Sequence, residues 1–215
     1  MSAYKHGRMP QASAVADAKR AGYLHLLNPA AGTTTGAGDQ LDVEAAAGGE
    51  VVANLVQPLH PRNLVLNFTD SGVEISAFQV DVVGVAPDGS AVAEQFLFAG
   101  GLDQVGSKVY ASVTSVTLTS ITETGATAKT LDIGYGTKFG VPVPANTATL
   151  VVHTVLVAGA VDSASAVDQT NNSFTPTTAA DGAKEIEVCY SYEDPTLNAL
   201  LAALRASTNS PLLAT

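Results

Sequence analysis

Between Lys108 and Pro142 the chain reads KVYASVTSVTLTSITETGATAKTLDIGYGTKFGVP, a run of β-branched and small residues with no histidine, no cysteine and few charges. Val and Thr are stiff at χ1 and fit a pleated surface, so strand is the best use of this stretch. Val109, Ala111 and Val113 share one face, after which the apolar phase slips and Val116 and Leu118 carry it. A one-residue slip in a long strand predicts a β-bulge or a bend between two sheets. ETGATAK then turns the chain, and TLDIGYG is the returning strand.

The same alternation extends over the surrounding sequence. EVVANLVQP reads as a strand, followed by RNLVLNFTDS, where Leu64, Leu66 and Phe68 lie on one face and Val65, Asn67 and Thr69 on the other. That is the pattern of a half-buried strand. ISAFQVDVVGVAPDGSAVAEQFLF gives two strands joined at APDGS, where Pro87 presets φ and Gly89 accepts a positive one, the signature of a β-hairpin. TATLVVHTVLVAG and AKEIEVCYSYE add two more strands, separated by the polar loop DSASAVDQTNNSFTPTTAADG, which has room for a short strand of its own. Many short strands with turn signals and little helix predict an all-β fold, an antiparallel sandwich or barrel-like body.

Three segments follow from this reading. Residues 1–50, rich in Ala, Gly, Thr and Asn, predict an extended, irregular N-terminal arm, because they offer too little apolar surface to offset their ordering entropy. A short helix over Ala12–Ala21 is compatible with the composition, and Tyr23, Leu24, Leu26 and Leu27 are placed to anchor the arm on this body or on a neighbour. Residues 51–193 form the β body. Residues 194–215 hold a short amphipathic helix and tail: Asp194 caps, Pro195 suits the first helical position, Leu197, Leu200, Leu201 and Leu204 form a stripe, and Arg205 sits near the C-terminal end.

Charge and composition narrow the function. The formal charge of −10 repels a nucleic-acid backbone, and the exception is the start, where Lys5, Arg8, Lys19 and Arg20 face only Asp17. A basic arm on an acidic body suits nucleic acid or an acidic neighbouring subunit equally well. Cys189 is the sole cysteine, which excludes an intramolecular disulfide and argues against a cysteine zinc site. No apolar stretch resembles a signal peptide or approaches the ~18 residues of a spanning helix, so the chain reads as soluble and without a membrane partner. Charged residues are only 14% of the chain and tryptophan is absent, which suggests a surface partly covered by partners.

Motifs of chemistry are weak throughout. GYGTKFG has glycines and Lys138, but Phe139 follows the lysine where a phosphate loop needs Ser or Thr, so a strand end and tight turn is the better reading. His6, His25, His60 and His153 are spread too widely for a zinc motif; His153 reads as a packed or hydrogen-bonded strand residue and His60 as a loop residue. Asp39, Asp42 and Glu44, or Asp162 and Asp168, lack the spacing of a calcium loop. There is no G-x-S-x-G elbow, and Cys189 between Val188 and Tyr190 reads as a small buried residue. The expectation is therefore no catalytic, cofactor-binding or metal-ligating residue, and no enzyme unless scattered residues assemble a site.

PRNLVLNFTD, FQVDVVGVAPDGSAVAEQFLF, VGSKVYASVTSVTL and LDIGYGTKFGVP occur in succession. They carry a G-x-x-x-x-G hairpin, an E-x-F strand end, a K-x-F/Y-x-x-V-x-S-V strand and a G-x-G-x-K-x-G-x-P close. This succession, from about Pro61 to Pro142 and more loosely through Tyr192, resembles a module of small virion proteins of tailed bacteriophages, of the capsid cement or decoration type. The resemblance implies no catalytic residue and no cofactor. It implies a chain assembled in the host cytoplasm onto the outer capsid surface of the virion, with the major capsid protein and further copies of itself, as a homotrimer, for partners. The arm would then be the clamp, with Lys5, Arg8, Lys19 and Arg20 meeting acidic capsid surface and Tyr23, Leu24, Leu26 and Leu27 supplying an apolar anchor. A neck, tail or head-fibre component, and an enzyme with a cryptic site around His153 and a carboxylate, are the alternatives.

Overall fold

The computed structural model describes residues 19–43, 48–98, 102–144 and 150–208. The fold is all-β, with antiparallel pairing throughout the described ladders and, among the described residues, one helix, at their C-terminal end. The described residues form three sheets that enclose two hydrophobic cores.

The first core lies between two of these sheets. One contains β4 (Arg62–Asp70) paired with β9 (Lys129–Gly140), with β7 (Asp103–Val105) on the outer side of β4. The other contains β5 (Ile75–Val85) between β6 (Ala91–Leu97) and β8 (Ser112–Glu123), with β3 (Glu50–Val51) on the far side of β8. Leu64, Leu66 and Phe68 face inward as the alternation predicts, and meet Phe78, Val80, Val82, Val116 and Leu118. Phe68 and Phe78 stack at a centroid distance of 4.2 Å, and Phe98 meets Phe78 edge-on at 5.5 Å. β4 is more deeply covered than expected, since Val65 on its other face is also buried.

The predicted hairpin is present in register, Val85 opposite Ala91. Ala86 N–H donates to Ser90 O at 2.8 Å, Gly89 has φ +86°, and the Asp88 carboxylate accepts from Ser90 N at 3.0 Å. The phase slip in the 108–118 stretch is a β-bulge: between the Val83–Ser115 and Gly84–Val113 pairs, Thr114 has no opposite number. A second irregularity skips Thr119 and lets Ile121 resume the inward face. The expected return of TLDIGYG beside its predecessor does not occur. β9 crosses to the opposite sheet and pairs with β4, because its apolar residues Leu131 and Ile133 are buried against Val116 and Leu118 across the core, not beside them. The strand also continues through TKFG to Gly140, where a turn was expected. EVVANLVQP is strand only at Glu50–Val51; beyond it Val52 is buried and bonds Val116 O at 2.9 Å, and the rest is irregular.

The second core is built around the third sheet. β1 (Lys19–Leu26) pairs with β14 (Ile186–Glu193), which pairs with β10 (Val151–Val157), followed by β11 (Ala160–Val161). The polar loop supplies β12 (Ala166–Asp168) and β13 (Ser173–Thr175), which extend the β9 sheet. Leu26, Phe139, Val155, Val157, Phe174, Ile186 and Val188 fill the space. β9 thus serves both cores, Leu131 and Ile133 in the first and Phe139 in the second.

Residues 1–50 were expected to form an irregular arm. Residues 1–18 and 44–47 lie outside the described residues, and so does most of the Ala12–Ala21 helix, whose last residues are strand. Lys19–Leu26 is regular β-strand, because Leu24 and Leu26 both reach one side of it while its backbone completes a ladder on β14. Residues 27–43 run as a strap along the body. Thr33 N donates to Tyr135 O at 2.8 Å, Ala37 N to Ile133 O at 2.9 Å and Val43 N to Lys129 O at 3.0 Å, and β2 (Leu41–Asp42) pairs with β9. Gly134 permits this approach: a Cβ there would stand 2.0 Å from Thr33 O. These backbone bonds, with Ala37 and Val43 buried, offset the entropy that composition alone leaves uncompensated.

The helix forms as predicted. α1 (Pro195–Thr208) begins at Asp194, whose carboxylate accepts from Thr196 N at 2.9 Å and Leu197 N at 3.1 Å. Leu200 of its apolar stripe is exposed.

Candidate contact surface

The alternation of β1 divides the expected anchor residues in two. Leu26 is buried at 2% exposure and Leu24 packs against the second core, so both anchor the strand to its own body. Tyr23 and Leu27 point outward, 58% and 55% exposed. His60 Nε2 lies 3.0 Å from Leu27 O, and Leu59, the residue before His60, is 84% exposed. Tyr23, Leu27 and Leu59 are thus exposed apolar side chains on β1, at the start of the strap and on the segment that His60 ties to it.

The basic residues separate similarly. Lys5 and Arg8 lie outside the described residues. Lys19 is exposed at the start of β1. Arg20 is ion-paired to Asp194, which links the first strand to the cap of the last helix. The helix amides of Leu197 and Thr196, together with Arg20, hold the Asp194 carboxyl below its ordinary range. In the resolved sheet order β1 has β14 on one side and no strand on the other among the described residues.

Three features were not legible in the sequence. Arg62 is 5% exposed, with its guanidinium 4.8 Å from the Phe139 ring centre and Nη1 donating to Ala30 O at 2.8 Å. It therefore fastens the strap from below, and burial lowers its pKa. Lys129 has no exposed side chain and sits 2.7 Å from Glu74 and 2.9 Å from Glu123, where it closes one end of the first core. On the outer face of the third sheet, His25, Glu185 and Glu187 bring one donor atom each to within 4.8 Å of one another. The histidine is on β1, and the glutamates are on β14 and at the residue just before it; these segments meet only by long-range pairing, so no local spacing signals them.

Cys189 is exposed, contrary to expectation. Its neighbours Val188 and Tyr190 take the inward face of β14, and strand alternation leaves the cysteine outside. His60 is a loop residue as expected, and His153 is hydrogen-bonded, its Nε2 2.8 Å from Ser191 Oγ on the neighbouring strand. His153 and Asp162 line one shallow cavity of about 210 Å³. The Asp162 carboxylate is engaged by Ser165 Oγ at 2.9 Å and Thr177 N at 2.7 Å, so it orders its own loop. Asp168 likewise accepts from Asn171 at 2.7 Å, and Asp39 from Asn54 at 2.8 Å. A second cavity of about 250 Å³ lies between the hairpin turn and the 141–143 and 170–172 segments, with Asp88 and Lys108 on its walls.

By fold, the chain belongs to the all-β antiparallel class, with two cores and an N-terminal strand on a sheet margin. No family model, curated protein or solved structure matches it.

Proposed function

We propose that this chain is a structural virion protein of a tailed bacteriophage, a capsid cement protein that binds the outer capsid surface across adjacent major capsid subunits. The motif words from Pro61 to Pro142 support the reading, together with one observation: Tyr23, Leu27 and Leu59 stand exposed at the margin where the N-terminal segment meets a rigid β body. Apolar side chains rimmed by polar surface suit the centre of a protein contact. The clamp in this reading is the segment before β1, which contains Lys5 and Arg8, with Lys19 beside it; Leu24, Leu26 and Arg20 hold its root to the body. Repetition over a symmetric shell, as copies of a homotrimer, multiplies a modest contact per copy. The role is non-enzymatic.

The test is the copy number of this chain relative to the major capsid protein in purified virions, by quantitative mass spectrometry. A comparable number of copies is the expected result. A few copies per particle would place the chain in the neck, tail or head fibres, and its absence from particles would end the virion reading.

A further inference from the structure

The outer face of the third sheet gathers donors that the inner face has no use for. β1 and β14 pair with His25 opposite Glu187, and Glu185 is the residue just before β14, with its carboxylate beside the His25 imidazole. His25 Nε2 is 3.3 Å from Glu185 Oε2, and the third donor, on Glu187, is within 4.8 Å of both. Two donors bound at ~2.0–2.1 Å to a tetrahedral cation stand about 3.3–3.4 Å apart. The His25–Glu185 pair already has that spacing, and the Glu187 donor lies within 4.8 Å of both.

The electrostatics point the same way. Two carboxylates with oxygens within 4.8 Å of one another repel each other. Among the described residues neither has a lysine or arginine partner: the nearby Lys184 is paired with Asp181 at 2.6 Å. Their polar neighbours are the His25 imidazole and the Tyr23 hydroxyl, whose bond to Glu187 raises the phenol's pKa. On the other side of β14, Glu187 faces Leu156. A cation with one imidazole and two carboxylate ligands would remove the repulsion, and all three side chains are open to solvent or partly so.

We propose that His25, Glu185 and Glu187 form a binding site for a divalent transition cation of the zinc class. An imidazole nitrogen with two carboxylate oxygens suits zinc and its neighbours better than calcium or magnesium, which take oxygen alone. The cation would join segments 160 residues apart and fasten the N-terminal strand to β14, beyond the main-chain ladder and the Leu24 and Leu26 contacts. Metal binding would then set how readily β1 leaves the sheet.

The experiment titrates zinc into the metal-stripped full chain against a chromophoric chelator, with calcium and magnesium in parallel. One zinc per chain is expected, with His25→Ala and Glu187→Gln each weakening it at least tenfold and His60→Ala, His153→Ala and Cys189→Ser leaving it unchanged. Both site variants change outward-facing side chains, so they should melt like the parent chain in chelator. Zinc should slow amide exchange across residues 19–26 in the parent but not in Glu187→Gln. The proposal is overturned if zinc binds no more tightly than calcium, if His25→Ala binds as the parent does, or if exchange in β1 ignores the metal.

Discussion

The two cores differ in where their walls come from. Leu64 to Ile133 supply most of the first core, and the strands that frame it lie between Arg62 and Gly140. The second takes Leu26 from near the N-terminus, Phe139 and Val155 from the middle, and Ile186 to Tyr190 from near the C-terminus. Its central strand β14 is flanked by a strand from the other end of the chain. The first core closes within residues 62–140, its longest-range ladder joining β4 to β9, whereas the second requires closing a loop of most of the chain and borrows Phe139 from a strand that the first core also uses. The second should depend on the first, and not the reverse.

Truncation in each core tests this dependence. Leu66→Ala empties a fully buried site and should destabilise the whole molecule by about 4 kcal/mol, with protection from amide exchange falling in all three sheets. Ile186→Ala, about 3 kcal/mol, should lower protection in β1, β10 and β14 while β5 and β8 keep theirs. Equal loss everywhere in both variants would mean that the cores form one cooperative unit.

The same contrast explains what could be read beforehand. The hairpin at APDGS and the slip near Thr114 are local patterns, and both appear where the alternation places them. The partner of β9 is not local: nothing within TLDIGYG says that it crosses to β4. Cys189 was misjudged because an apolar run does not reveal which alternate residues face in, and Tyr190 shows that the aromatic neighbours do. The arm's composition suggested irregularity, but Gly134 and the bare carbonyls of β9, on another part of the chain, hold residues 27–43 in place. The His25 cluster depends on the β1–β14 register, which sequence spacing does not contain.

The strap packs on the first core through Ala37 and Val43, and Gly134→Ala attacks its attachment to β9. The added methyl would collide with Thr33 O, and neither backbone can yield cheaply. About 2 kcal/mol should be lost, with limited proteolysis opening residues 27–43 before either sheet. Cleavage first in β5 or β8 would mean that the strap carries no separate stability.

Acid should act on the first core by way of Glu74. Its carboxyl is held below the ordinary range by Lys129 first, then by Thr127. A depressed folded pKa stabilises above the unfolded value of ~4.3, and that contribution disappears as pH falls through the folded one. Melting temperature should therefore fall below about pH 5, and Glu74→Gln should flatten that decline. Asp181, held at about 2 chiefly by Lys184, adds a smaller surface effect on the second core's side. An unchanged acid profile in Glu74→Gln would remove the Lys129 cluster from the account.

Cys189→Ser should have the smallest effect, and it tests the outer face of the second core's sheet. Both faces of β4 are covered over most of its length, but β14 buries only alternate residues and leaves Cys189 exposed between Tyr23 and Thr154 on the flanking strands. Replacing an exposed thiol with a hydroxyl of similar size should change stability by less than about 0.5 kcal/mol. The thiol of the native chain should also react with a small alkylating reagent without prior unfolding, one equivalent per chain. If alkylation waits for global unfolding, that face is covered in solution, and the open surface assigned to Tyr23 and His25 beside it is wrong. If it proceeds at once, β14 has one closed and one open side, which is the asymmetry that β4 lacks.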